Sequence, residues 1–199
     1  MKILALELST ARGSLAWLDG QAQFTREWPN DRKDSAPLFE KLQAVRRKFG
    51  APETIIVGLG PGSYTGTRIA ISTAVGLQLS CDAHLIGWPS IGAMETDPQE
   101  HCIVGDARRK SFFFARAVRN QLVEGPTLFS EADLKAKLAS LHPAIPVFTS
   151  ESLPQFDRAV IRFPSALVLA RLAEEPRLSF SLPPLEPIYL REPHITMPK

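Results

Sequence analysis

Cysteine is scarce: Cys81 and Cys102 are the only two in 199 residues. Two thiols are too few for a disulfide framework, and their spacing matches no zinc pattern, so a reducing compartment is expected. An excess of one charge is also missing. Lysine and arginine number 23 against 21 acids, a formal net charge of +2. A chain that holds nucleic acid by itself usually carries a strong basic excess, although this one can join an assembly in which another subunit holds the nucleic acid. No apolar run approaches the ~20 residues of a membrane span. The opening Met1-Lys2-Ile3-Leu4-Ala5-Leu6-Glu7 is apolar for only a few residues before an acid, which reads as a buried strand and not a signal peptide. Secreted, membrane and collagen-like classes are excluded, and the expected location is cytoplasmic.

Catalytic constellations are missing as well. None of His84, His101, His142 and His194 has another histidine three to five residues away, and no H-E-x-x-H occurs, which leaves metal hydrolysis almost without support. The serine elbow G-x-S-x-G is absent, Gly60-Pro61-Gly62-Ser63 being offset from it. His101 and Cys102 are adjacent, and neighbours on a strand point to opposite faces, so they do not form a nucleophile pair. Asp106 and Arg108 sit at a strand end, where an acid–arginine pair is at least as often a turn and an ion pair as a functional site.

What is present is a globular composition, 44% apolar and 22% charged, enough for one domain or two small fused lobes. Ile3 to Leu8 reads as a strand buried on both faces. Ser14 to Leu18, Asp19-Gly20 and Gln21 to Trp28 read as a hairpin, Asp-Gly supplying the positive φ of a two-residue turn. Asp34-Ser35-Ala36-Pro37 opens a helix with Leu38, Leu42, Val45 and Phe49 at helical spacing, and Gly50 stops it. Thr54 to Val57 is a short strand, Thr65 to Ser80 a helix, His84 to Trp88 a strand, and Pro89-Ser90 opens a short helix. The first half is an α/β layered unit. In the second half, strands are expected over His101–Asp106, Lys110–Val118, Ile145–Thr149 and Ala159–Phe163, and helices over Glu131–Leu141 and from Ser165 to about Glu174. The proline-rich tail from Pro176 is expected to lie extended on the surface. A boundary near Asp97-Pro98 divides an N-terminal lobe, 1–97, from a smaller C-terminal lobe, 98–199. No internal sequence repeat is visible.

The glycine turn Gly58-Leu59-Gly60-Pro61-Gly62-Ser63-Tyr64-Thr65-Gly66 is the most informative stretch. Backbone N–H groups at such a helix start attract anions. The dinucleotide fingerprint nevertheless fails, because its third glycine falls on Thr65, and the P-loop fails for want of any lysine between Thr54 and Cys81. The glycines are better explained by a sharp reversal and close packing. The helix that follows carries Ile69, Ala70, Ile71, Ala74, Val75, Leu77 and Leu79 around most of its circumference, with small residues threaded among them. Its second face must be covered, and a partner protein is favoured over the chain's own second lobe.

Four segments resemble the TsaB (YeaZ) family, in the family's order and across almost the whole chain: Ile3-Leu4-Ala5-Leu6-Glu7-Leu8-Ser9-Thr10; Gly60-Pro61-Gly62-Ser63-Tyr64-Thr65-Gly66-Thr67-Arg68-Ile69; Asp106-Ala107-Arg108; and Pro187-Ile188-Tyr189-Leu190-Arg191. The resemblance implies an α/β fold of the actin-like (ASKHA, ribonuclease-H-like) kind, two related lobes with mixed sheets and flanking helices, the second lobe reduced. It implies a non-catalytic scaffold or activating subunit in making N6-threonylcarbamoyladenosine at tRNA position 37. Its partners would be a TsaD-like catalytic subunit and a TsaE-like ATPase, with tRNA met indirectly through the complex and a homodimer when alone. No catalytic residue, metal or private cofactor is implied, nucleotide being expected only at a shared subunit boundary. The sequence departs from the family at Glu7-Leu8, commonly Asp-Thr, and at Asp34, often histidine. In actin-like and sugar-kinase-like folds a D-x-G-x-T strand end contacts phosphates. Here the acid is longer and Ser9 replaces the glycine, which hinders close approach.

Interface residues are expected at Leu38, Leu42, Val45, Arg68, Ile69, Ala70, Thr73 and Leu77, with Gly60, Pro61, Gly62, Ser63 and Gly66 shaping the turn that aims the helix. The alternative is a stand-alone ATP-binding phosphotransferase or ATPase of the same fold, motivated by the anion-attracting turn. A metalloprotease is disfavoured by the histidine count and spacing.

Overall fold

Strand β1 (Lys2–Glu7) is apolar at consecutive positions because its sheet is covered on both faces. The computed structural model describes residues 1–20, 22–30 and 35–191; Gln21, Asp34 and His194 lie outside them. Antiparallel to β1 runs β2 (Arg12–Asp19), followed by β3 (Ala22–Pro29). Gly20 takes the positive φ, 55°, that the Asp-Gly signal predicts, but Asp19 pairs with Ala22 and so ends β2, one residue later than expected. On the other side of β1 lie β4 (Thr54–Gly58) and β5 (His84–Trp88), in parallel, completing the order β3-β2-β1-β4-β5.

Alternation along these strands sorts the core into two layers. Leu4, Leu6, Ile55, Val57 and Leu85 face α1 (Ala36–Phe49) and α2 (Tyr64–Cys81). Ile3, Ala5, Ile56, Ile86 and Trp88 face a helix from much later in the chain, α4 (Ala166–Leu172). Helix α1 carries Pro37 in its first turn, Arg46, Arg47 and Lys48 in its last, and stops at Gly50 with φ 82°. Those features match their expected places.

The second sheet repeats the first. Strands β6 (Glu100–Asp106), β7 (Ser111–Val118) and β8 (Gln121–Ser130) form an antiparallel meander. Strands β9 (Val147–Thr149) and β10 (Ala159–Ile161) then add in parallel, for an order β10-β9-β6-β7-β8. Read outward from β1 and from β6, the two orders are the same, so the lobes share a topology that no residue repeat advertises. This is the two-lobed actin-like α/β architecture that the resemblance implies. One face of the second sheet packs on α3 (Glu131–Ser140) through Cys102, Val104, Phe114, Leu134 and Leu138. The other face, with Ile103, Phe113, Ala115 and Phe148, meets Ile91 and Met94 from the connection between the lobes.

Two features differ from the sequence reading. Strand β8 has no counterpart in it. In the structure Gly125 takes a φ of 75° where the β7–β8 register shifts, and pairing resumes beyond it. The second is the lobe division. The chain crosses into the second lobe near Asp97, but α4 packs on β1, β2 and β4, so the chain returns to the first lobe before its end. The tail then runs without helix or strand as far as Arg191, but it is partly packed and does not lie wholly on the surface. Ser181 bridges to Gly87 on the edge strand β5, Ile188 N–H donates to the Leu59 carbonyl at 2.8 Å, and Leu185 is buried in the first core.

Candidate docking face and interlobe cleft

Helix α2 is aimed by the glycine turn. The Ser63 hydroxyl caps it by accepting from Gly66 N–H at 3.2 Å. A Cβ on Gly62 would lie 2.1 Å from the Ser9 carbonyl oxygen, and one on Gly66 would lie 2.1 Å from that of Leu8. The turn is pressed against the β1–β2 loop, and only glycine permits that approach. Two of its donors are used inside the fold: Gly60 N–H goes to the Ser90 hydroxyl at 2.9 Å and Ser63 N–H to the Ser9 carbonyl at 2.6 Å. Gly60-Pro61-Gly62-Ser63 therefore shapes a tight connection, as the failed phosphate patterns predict.

The expected interface residues divide. Leu38, Leu42, Val45 and Ala70 are buried in the first core against the sheet, so they are not docking contacts. Helical period identifies an apolar face, and here that face seats on β2 and β4. Ile69, Thr73 and Leu77 are half-buried, and Arg68 is exposed. The open flank of α2 consists of Tyr64, Arg68, Ser72, Val75, Gly76 and Leu79. Leu79 is 83% exposed and nothing lies within 4 Å of a Cβ placed on Gly76. Phe39 on α1 is exposed on the same side of the sheet. The sequence counts Val75 and Leu79 among the apolar residues of the helix without setting them apart; their offset from the buried Ala70 and Ala74 is the signal that places them on the open flank.

Between the lobes lies a cleft of about 360 Å³, lined by the β1–β2 loop, the glycine turn, the β6–β7 tip, Glu151 and the tail from Pro187 to Arg191. Asp106 closes the tip on itself, accepting from Arg108 N–H at 2.6 Å and pairing with its guanidinium at 3.0 Å. That pair is the turn and ion pair anticipated for Asp106 and Arg108. Glu7 lies at the end of β1, wholly buried. Burial pushes its carboxyl above the ordinary range, and hydrogen bonds from Ser9 and Ser90 oppose this less strongly. Ser9 N–H donates to it at 2.7 Å. A carboxyl so enclosed does not reach the cleft to hold a phosphate-bound metal. Among the described residues no cluster of three or more His, Cys, Asp or Glu could hold a metal ion. His101 and Cys102 do point to opposite faces of β6: Cys102 joins the α3 side, while the His101 ring stands 5.5 Å from Phe148. Burial pushes the Cys102 thiol up to about 11, which leaves it protonated and unreactive. No helix among the described residues is long and apolar enough to cross a membrane.

Comparisons with known proteins agree with this architecture. The family model described as TsaD, tRNA N6-adenosine threonylcarbamoyltransferase, matches residues 37–185. A tRNA threonylcarbamoyladenosine biosynthesis protein TsaB from Haemophilus influenzae is 26% identical over 224 aligned residues, covering 96% of this chain and 94% of that protein. An uncharacterized Mycobacterium leprae protein is 28% identical over 147 residues; the match takes in 71% of this chain but only 38% of that relative's length. In structure, a Pseudomonas aeruginosa protein described as similar to peptidase YeaZ superposes with a TM-score of 0.75 at 20% identity, over 96% of this chain and 99% of that one. The chain belongs to the family of the TsaD model, and it is similar along almost its whole length to a TsaB protein in sequence and to a YeaZ-like protein in fold.

Proposed function

We propose that this chain works in tRNA N6-threonylcarbamoyladenosine biosynthesis as a non-catalytic subunit, docking on a TsaD-like catalytic relative through the outer flank of α2. The TsaB relatives support the pathway. The observation that carries the docking role is the open apolar pair Val75 and Leu79, with Gly76 between them allowing a second helix to approach closely. Contiguous exposed apolar surface on a soluble fold marks an interaction site. The non-catalytic reading is supported by the buried Glu7. A TsaE-like ATPase joins the pair.

The test is reconstitution. The chain is mixed with the TsaD-like protein of the same cell, co-elution is measured, and tRNA modification is followed with and without it. Co-elution and a modification rate that depends on the chain are expected. Micromolar binding and hydrolysis of ATP by the chain alone, with no effect on modification, would replace this reading with the stand-alone ATPase.

A further inference from the structure

The mouth of the cleft combines two chemistries that the docking role does not use. Tyr64, at the start of α2, stacks on Tyr189 of the tail, with ring centroids 5.4 Å apart. Both rings remain partly open, at 49% and 41% exposure. The Arg68 guanidinium lies 5.0 Å over Tyr64 and donates to its hydroxyl. Across the opening, the β6–β7 tip presents Arg108, Arg109 and Lys110, all exposed, with φ of 65°, 54° and 58°. Three consecutive side-chain-bearing residues in the left-handed region are costly, and such strain concentrates at functional sites. Arg108 is neutralised by Asp106, but Arg109 and Lys110 have no acidic partner among the described residues. Arg191, held by the Ser111 hydroxyl at 2.7 Å, completes the rim, whose other acid is Glu151.

We infer that this rim binds unpaired RNA, one or two nucleotides at a time, with a base on the Tyr64–Tyr189 platform and its phosphates on Arg109, Lys110 and Arg191. Aromatic faces and cations spaced along a groove are how single strands are held without base-pair readout. A free polyphosphate fits less well. Glu7 is buried behind the glycine turn, which spends the Gly60 and Ser63 N–H groups inside the fold, and Arg109 and Lys110 stand at the rim on the opposite lobe. The net charge of +2 limits the contact to this short stretch and leaves the rest of an RNA to another subunit. The inference deepens the proposed function by giving this chain its own touch on the tRNA.

The experiment is fluorescence anisotropy of an end-labelled 12-nucleotide single-stranded RNA with the full chain at 50 and 200 mM salt. Saturable binding that weakens with salt is expected. Tyr189→Ala should weaken it about tenfold, and Tyr189→Phe should leave it unchanged. Replacing Arg109 and Lys110 by alanine should lower the salt slope by roughly 1.4, at about 0.7 per lost single-strand phosphate contact. Three results overturn the inference: no binding at 50 mM salt, an affinity indifferent to Tyr189→Ala, or displacement of the RNA by micromolar ATP. Co-elution with the TsaD-like protein is measured separately through Leu79, so failure of one reading leaves the other standing.

Discussion

Two substitutions on one helix, placed a few turns apart, separate docking from folding. Leu79 is 83% exposed and Ala70 is fully buried. Leu79→Glu alters a side chain that is mostly in solvent, so unfolding should shift by less than ~0.5 kcal/mol, about 2 °C in midpoint at this size. In a complex that covers the side chain, the same change forfeits the burial of a medium apolar group, about 1.5–3 kcal/mol, or roughly ten- to hundredfold in Kd. A carboxylate in its place must also be desolvated, which adds to the loss. Ala70→Glu does the opposite. It forces an unpaired charge and extra volume between α2 and the sheet, a cost of several kcal/mol out of a typical total of 5–15. Its midpoint should fall on the order of 10–20 °C before any partner is added. Circular-dichroism melts and calorimetric titration of the TsaD-like protein measure both effects. Wild-type affinity in Leu79→Glu would sink the assigned face, and a wild-type melt in Ala70→Glu would sink the packing.

Other consequences follow from groups enclosed in the core. The folded-state pKa of Glu7 is raised above its ordinary 4.5, so the stability tied to its proton is present at low pH and lost as pH rises through the raised value. Glu7→Gln keeps an acceptor for Ser9 N–H and should be more stable than wild type at pH 8, with the gap closing towards pH 4.5; an unchanged gap across denaturant melts refutes the assignment. His101 is shifted the other way, its pKa lowered from 6.5 by burial beside Phe148. The unfolded chain therefore takes up the proton first as pH falls below 6.5, and stability declines on acidification. His101→Phe should flatten that decline between pH 7 and 5, and an unaltered slope would show that other groups cause it. Gly62→Ala places a Cβ 2.1 Å from the Ser9 carbonyl, so the turn must shift at a cost of about 1–3 kcal/mol by over-packing, read from the urea midpoint; a neutral result would mean the turn has slack.

Much was legible from local pattern. Proline at a helix start, glycine at its stop, Asp-Gly between strands and unbroken apolar runs each report a backbone constraint acting over a few residues, and α1, α2, β1 to β7 and α3 all fall close to their expected places. The turn around Gly60 was also readable, since what it lacked for phosphate binding is visible residue by residue. Strand β8 was not, because Gly125-Pro126 has the same local signature whether it ends a strand or sits where a sheet's register shifts. Nor was the return of α4 to the first sheet, a contact made across most of the chain's length.

The site shows the same division. Periodicity alone established that α1 and α2 are apolar and that α2 is apolar on more than one side. It could not say which side meets the chain's own sheet, because burial against self and burial against a partner favour the same residue types. Tertiary packing decided it, enclosing Leu38, Leu42, Val45 and Ala70 and leaving Val75 and Leu79 in water. The rim of tyrosines and arginines is likewise a product of folding. Tyr64, Arg109 and Tyr189 are far apart in the chain, and they share one cleft only because two lobes of the same topology close on each other and the tail crosses between them.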